Sequence, residues 1–208
     1  PDLSVSHPGF KKIIRLMIPR TISLIAMQIN LYLFTVVGIR ITEGAVAAFN
    51  FARNIQSFAV SLFGISLATA VFPYLTGAIS NGENKTYTDH IQKTMQRILF
   101  FTIPSMAGMM LMAKPVVELI LSGGKFDAQS VNLTSLILFY FAISIPFESL
   151  SHILSRGFYA LKDTLTPMYI YLGSMFIIAF CTIYVAPRYG IAWFSIGFSL
   201  GFIFFVAV

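Results

Sequence analysis

Residues 54–82, NIQSFAVSLFGISLATAVFPYLTGAISNG, run without one charged side chain, well past the roughly 20 apolar residues that carry an α-helix across about 30 Å of hydrocarbon. In lipid the backbone has no water to bond, so only helices and closed barrels span. A barrel strand needs about 10 residues alternating apolar and polar; this stretch is continuous and far longer, and it reads as helix. Working outward, comparable charge-free runs occupy 21–39, 98–113, 128–147, 164–187 and 189–208. The run at 98 is the shortest, but Arg97 can snorkel and lend Met95 and Gln96 to it. The expectation is an all-α, polytopic transmembrane helix bundle of six spans, at about 11–39, 44–79, 91–113, 128–155, 164–187 and 190–208.

Composition agrees: 11% of the 208 residues are charged and 57% are hydrophobic, against about a quarter charged in soluble domains. The net charge of +6 does not point to nucleic acid, because the cations sit at the ends of apolar runs and form no basic stripe with interleaved aromatics. If spans and loops alternate, one side receives Lys11, Lys12, Arg15, Arg20, Lys85, Lys93, Arg97, Arg156 and Lys162, and the other Arg40, Lys114, Lys125 and Arg188. The positive-inside rule then puts the N-terminus in the cytoplasm.

Smaller signals fill in the path. Pro8 and Gly9 punctuate the start of the first helix near His7, and Pro19 is expected to kink it. A short turn with Arg40 and Glu43 leads to the second helix, which runs past Pro73 and is expected to tilt or bend. Residues 81–89 read as a polar loop, after which Lys93 and Arg97 share one helix face. Lys114-Pro115 and Gly123-Gly124 bracket a stretch too short to span, expected as a helical elbow along the outer interface. The short connections at 156–163 and 188–190 make sequential helices antiparallel neighbours. Cys181 is read as packing, Gly197 with Gly201 as a small-residue face for close helix contact, and two Asn-x-Thr triplets at 84–86 and 132–134 as chance matches. With no initiator Met, no signal peptide, and an end inside the apolar run 203–208, the expectation is an internal fragment cut at both ends.

Arg53 lies about 13 Å down the second helix axis if that helix starts at Gly44. An arginine there is costly against lipid, so it should face a watery cavity or a partner; snorkelling, or pairing with a carboxylate elsewhere in the protein, is the other reading. A guanidinium in a cavity suits phosphate or pyrophosphate. Gln28 and Asn30 in the first helix, and Asn50, Asn54 and Gln56 around Arg53, are amides that either line such a site or only bond neighbouring helices, the blander reading being favoured. Arg20 either lines a cytoplasmic mouth or snorkels. Glu148, His152 and Arg156, spaced by four, form one row: a possible proton-relay or coupling pair in Glu148 and His152, or, as favoured, a local ion-pair ladder. No catalytic constellation, metal site or cofactor motif stands out.

Three stretches carry a family likeness: SLFGISLATAVFP at 61–73, Lys114-Pro115-Val116-Val117-Glu118-Leu119-Ile120 followed by Gly124-Lys125-Phe126, and RGFYALKDTLTP at 156–167. Together and in this order they resemble the bacterial lipid II flippase family (MurJ, also called MviN), within the multidrug, oligosaccharide-lipid and polysaccharide exporter superfamily. The resemblance implies the seventh to twelfth of about fourteen helices, one lobe of a two-lobe flippase whose N-terminal lobe is absent here. It implies an undecaprenyl-pyrophosphate-linked disaccharide peptide, lipid II, moved from the inner to the outer leaflet of the bacterial inner membrane by alternating access, with no enzyme chemistry. It also implies a cavity arginine in the eighth helix, for which Arg53 is the candidate. In the family pattern that arginine precedes the Leu-Phe-Gly glycine by about ten residues, whereas Arg53 precedes Gly64 by eleven. Strict counting lands on Asn54, and the family's usual proline falls at Ala59, so equivalence requires a local bulge or a different presentation. The expected substrate-binding set is Arg53, Asn54, Arg20, Gln28 and Asn30. The rivals are a flippase for another lipid-linked oligosaccharide, a multidrug antiporter of the superfamily, and a membrane-embedded glycan-modifying enzyme, which would want clustered His, Asp or Glu at one membrane face.

Overall fold

A computed structural model describes residues 8–121 and 127–208. His7 and the Gly123, Gly124, Lys125 and Phe126 portion of the elbow motif lie outside them, as do the side chains of Lys11, Lys12 and Arg15. Among the described residues every regular element is helical: α1 (Pro8–Ile41), α2 (Ala45–Ser80), α3 (Asn84–Leu111), α4 (Ala113–Leu121), α5 (Ala128–Ala142), α6 (Ser144–Ala160), α7 (Leu165–Tyr189) and α8 (Ala192–Ala207). Leu16–Ile41 within α1, together with α2 and α7, is long and apolar enough to cross a membrane. Two bent pairs, α3 with α4 at 75° and α5 with α6 at 47°, bring the number to as many as five. The sixth expected span corresponds to α8, which is apolar but only 16 residues long.

Several local expectations change. The run at 128–155 is not one straight helix, because it breaks at Ile143 between α5 and α6. Pro146 sits in the first turn of α6, where a missing N–H is harmless, but the same missing N–H cannot extend the α5 ladder to the Ala142 carbonyl. The expected loop at 81–89 shrinks to three residues with Gly82 at φ 75°, and α3 begins at Asn84. Its first turns are polar, and Thr88 donates to the Asn84 carbonyl at 3.0 Å. Arg40 belongs to the last turn of α1, where a cation complements the helix dipole. Pro19 is buried inside a helix that continues through it. In α2 the departure from α geometry is a π-turn at Val60–Ile65, and the elbow is the nine-residue helix α4.

Lipid tails are as apolar as leucine, so helices associate through packing rather than through expulsion of water. Two kinds of contact supply that packing. At one level Phe34 of α1, Phe49 of α2, Phe141 of α5, and Phe194 and Phe198 of α8 interlock with ring centroids 4.5 to 5.9 Å apart. At others, missing side chains let backbones touch. A Cβ placed on Gly64 of α2 would lie 2.7 Å from Ser149 Cα in α6, and one on Gly197 of α8 would lie 2.5 Å from Cys181 Cβ in α7. Gly201 is equally close to Ile178, at 2.6 Å. The outer surface keeps large apolar side chains bare, with Leu119 87% exposed and Phe176 73%, as a lipid-facing surface requires.

The turn from α6 to α7 is built from the RGFYALKDTLTP stretch. Lys162 takes a left-handed conformation at φ 62° and Asp163 N donates to the Phe158 carbonyl at 3.0 Å, which closes α6. The Asp163 carboxylate then accepts from Leu165 N at 2.9 Å and Thr166 N at 3.0 Å, capping the first turn of α7. Hydrogen bonding from Thr166, with a smaller part from Leu165 N, holds the Asp163 carboxyl below its ordinary range. Because the folded value is the lower one, the cap contributes fully above the ordinary carboxylate value and fades as pH falls through the folded value. Asp163→Ala is therefore expected to cost about 1 kcal/mol at neutral pH, read as a lowered unfolding temperature of purified protein. The difference from the parent should vanish as the carboxyl protonates; a difference independent of pH would contradict the cap.

Candidate functional site

The expected ladder of Glu148, His152 and Arg156 is one row on α6, but its members do not pair with one another. Among the described residues the ion pair within 4.0 Å is Lys114–Glu118, elsewhere. Glu148 is nearly buried and its Oε2 accepts from Gln56 Nε2 at 2.8 Å. The same nitrogen donates to Ser144 Oγ at 3.0 Å, and the Ser144 hydroxyl donates to the Phe141 carbonyl at 2.7 Å. Gln56 is 1% exposed, so both hydrogens of its amide are committed to α6. Two turns farther along, Arg156 Nη2 donates to Thr69 Oγ1 of α2 at 2.7 Å, and Nη1 reaches the His152 carbonyl at 3.4 Å. The row is therefore a seam stitched to α2 at both ends, with the Gly64–Ser149 contact between the stitches. The ladder fails because Glu148 and Arg156 each find a partner across the seam.

One side of that seam opens into a cavity of about 410 Å³, walled by α1, α2, α6, α7 and α8. Arg20, Glu148, His152, Arg156, Tyr159 and Tyr171 all reach it. The Arg20 guanidinium stands 6.0 Å from the centre of the Tyr159 ring. Two guanidinium groups and an imidazole thus share a hollow with one carboxylate, and among the described residues no second carboxylate lines it. Such a hollow favours an anion with several oxygens. Among the described residues, no group of three or more His, Cys, Asp or Glu side chains is arranged to hold a metal ion.

Arg53 stands apart from this lining. It is half-buried one turn before Gln56, its guanidinium carbon lies 5.0 Å from the Phe198 ring centre, and its Nη1 is buried with no hydrogen-bond partner. The π-turn at Val60–Ile65 begins seven residues after Arg53 and contains Gly64. A π-turn takes up one residue more than an α-turn, so the winding from Val60 onward is wider than in an unbroken α-helix.

The other candidate residues divide. Arg20 joins Glu148 and His152 in the cavity. Gln28 is exposed in a shallow apolar hollow of about 390 Å³ along α1, with Leu24, Ile25 and Tyr32. Asn30 is buried, but its amide folds back onto the Ala26 carbonyl of its own helix at 3.1 Å, leaving Oδ1 without a partner. Asn54 is exposed, and its carbonyl accepts from Ser57. Sequence reasoning did not assign Arg156, Tyr159 and Tyr171 to the site. The first two stand inside the quoted 156–167 motif, so the signal for them was present. Gln56 was noted only as a flanking amide; its spacing of three from Arg53 was the available sign.

The model of the family described as "Lipid II flippase MurJ" matches residues 1–208. A lipid II flippase MurJ of Burkholderia cenocepacia is 27% identical over 201 residues, covering 97% of this chain and 39% of the relative. A solved structure of a lipid II flippase MurJ in an inward closed conformation superposes with TM-score 0.82 at 25% identity, covering 99% of this chain and 43% of that one. A MATE structure in its straight conformation shares the fold, with TM-score 0.76 at 16% identity over 98% of this chain and 46% of that one. The chain spans less than half the length of each of these relatives.

Proposed function

The chain belongs to the lipid II flippase MurJ family, and from that membership we propose that it is one lobe of a flippase that moves lipid II from the inner to the outer leaflet by alternating access. Family membership makes it part of an integral membrane transporter. The finer reading puts it in the bacterial cytoplasmic (inner) membrane with its N-terminus inside, beside an N-terminal lobe of the same chain, and without enzyme chemistry of its own.

The observation that carries this reading is the 410 Å³ cavity in which Arg20 and Arg156 meet, neither of them ion-paired among the described residues. A pyrophosphate dianion cannot cross hydrocarbon bare. A hollow between lobes lined by guanidinium groups replaces its hydration while the polyprenyl tail stays in lipid. Arg20 and Arg156 would receive the pyrophosphate from the cytoplasmic side, and Arg53, deeper along the seam, would take it next. The π-turn supports matching Arg53 to the family's cavity arginine, because its wider winding from Val60 to Gly64 reduces the angular offset that one extra residue brings. Gln28, Asn30 and Asn54 are weaker members of the proposed set. Glu148 and His152 share the cavity wall and are the candidate coupling pair, since a proton or cation gained there would change the charge the substrate meets.

The alternative within the superfamily is another lipid-linked oligosaccharide or a small drug as cargo. The test is rescue of bacteria depleted of their native flippase by the full-length protein. Growth and outer-leaflet lipid II should both return to near wild-type levels. Rescue of O-antigen export with no lipid II at the outer leaflet would sink the lipid II assignment.

A further inference from the structure

A second hollow, of about 530 Å³, is a cleft between the second half of α2 and the first half of α3, and it shares no lining residue with the cavity above. Its α3 wall carries His90, Lys93 and Arg97, with one carboxylate, Asp89; its α2 wall carries Leu67, Val71 and Tyr74. Lys93 and Arg97 are exposed and one turn apart, and neither forms an ion pair among the described residues, although Asp89 precedes Lys93 by four on the same helix. Tyr74 and His90 meet across the cleft with ring centroids 5.9 Å apart and their planes tilted by 38°. The α2 wall is apolar and the α3 wall cationic.

Depth decides what such a cleft meets. If α3 ends at Leu111 near one edge of a hydrocarbon layer about 30 Å thick, the other edge falls roughly 20 residues earlier, close to Ile91. Lys93 and Arg97 then stand just inside that edge, where long cationic side chains snorkel to lipid phosphates, and Tyr74 sits at the interfacial level. We propose that the α2–α3 cleft is a docking site for the phosphate headgroup of an anionic phospholipid of the adjacent leaflet, with Lys93 and Arg97 gripping the phosphate and the Leu67–Val71 wall receiving the acyl chain. This goes beyond the transport reading and needs from it only that the helices span a bilayer.

The test uses the full-length protein in phosphatidylcholine vesicles containing a small fraction of photoactivatable phosphatidylglycerol in both leaflets, with labelled peptides mapped after illumination. Neither orientation nor translocation enters the readout, so failure of the transport reading leaves it intact. Labels are expected within 67–74 and 86–97. A cation near an anionic surface contributes about five-fold in occupancy, so Lys93→Gln with Arg97→Gln should cut labelling roughly 25-fold. Asp89→Asn should raise it by up to about five-fold, an outcome that remains readable if the double variant fails to fold. Unchanged labelling in both variants, or equal labelling by a photoactivatable phosphatidylcholine, would overturn the proposal. So would displacement by inorganic phosphate alone, which marks a free-anion site, or displacement by a polyprenyl pyrophosphate but not by excess phosphatidylglycerol, which reassigns the cleft to the transported lipid.

Discussion

Full-length protein carrying Arg53→Ala is expected to lose most of its lipid II translocation, by roughly 10- to 100-fold, while still inserting and folding. A hydrogen bond to a charged group contributes about 1.5–3 kcal/mol, and each 1.4 kcal/mol is a factor of ten. Arg53 is poised to make such a bond. Its Nη1 is out of solvent with no partner, and the stacking on Phe198 holds the guanidinium in place without consuming its donors. The measurement is outer-leaflet lipid II in flippase-depleted cells, alongside the amount of protein in the membrane. Arg53→Lys should fall between parent and alanine, since a point charge keeps the attraction and loses the fork. Asn54→Ala serves as the register control, because the exposed Asn54 is the residue that strict family counting selects. Undiminished rescue by Arg53→Ala, or a larger loss at Asn54, would remove Arg53 from the mechanism.

Gly64→Val is expected to prevent recovery of folded protein altogether. A Cβ at position 64 would lie 2.7 Å from the Cα, Cβ and Oγ of Ser149, and backbone cannot rotate aside as a flexible side chain does. Even Gly64→Ala should cost about 1–3 kcal/mol by overpacking, and valine adds two more methyl groups in the same place. The cost does not stop at one contact. Gly64 lies between the Gln56–Glu148 and Arg156–Thr69 bonds, so pushing α2 from α6 strains a buried carboxylate and a guanidinium together. Gly108→Ala is the matched control: it too replaces a helical glycine, nothing stands within 4 Å of the added Cβ, and helix propensity favours the change by up to about 1 kcal/mol. The readout is the unfolding temperature and monodispersity of purified protein. A Gly64→Val protein as stable as the Gly108→Ala protein would refute the close contact.

The helical character of the chain was legible because it rests on run length and on the absence of charge, both local properties. Breaks inside apolar runs were less so. Nothing in the composition of 128–155 distinguishes a straight helix from α5 and α6 meeting at 47°, since Pro146 is compatible with either a kink or a new first turn. The polar residues 84–89 read as loop because periodicity in apolar residues is the usual sign of a helix, and a helix that outruns the membrane loses that sign while keeping its backbone bonds. In the site, spacing placed Glu148, His152 and Arg156 on one face but could not say what faced them. Their partners, Gln56 and Thr69, are 92 and 87 residues away along the chain. Tyr171 likewise belongs to the cavity only because α7 folds against the others. The elbow motif was legible as a break, and its described part is the helix α4.

The wide turn at Val60–Ile65 also bears on how this helix tolerates change in chain length. Removing a residue from an ordinary α-helix swings everything beyond the deletion by about 100°, which would carry Gln56 and Arg53 off the face that meets α6 and α8. A deletion inside the wide turn instead lets it tighten to α-helical winding, and the two halves of α2 keep nearly the same angular relation. Val60–Ile65 is thus the segment of α2 where relatives can differ in length by one residue and still present the same side chains to the same neighbours, a slack loop wound into the helix itself.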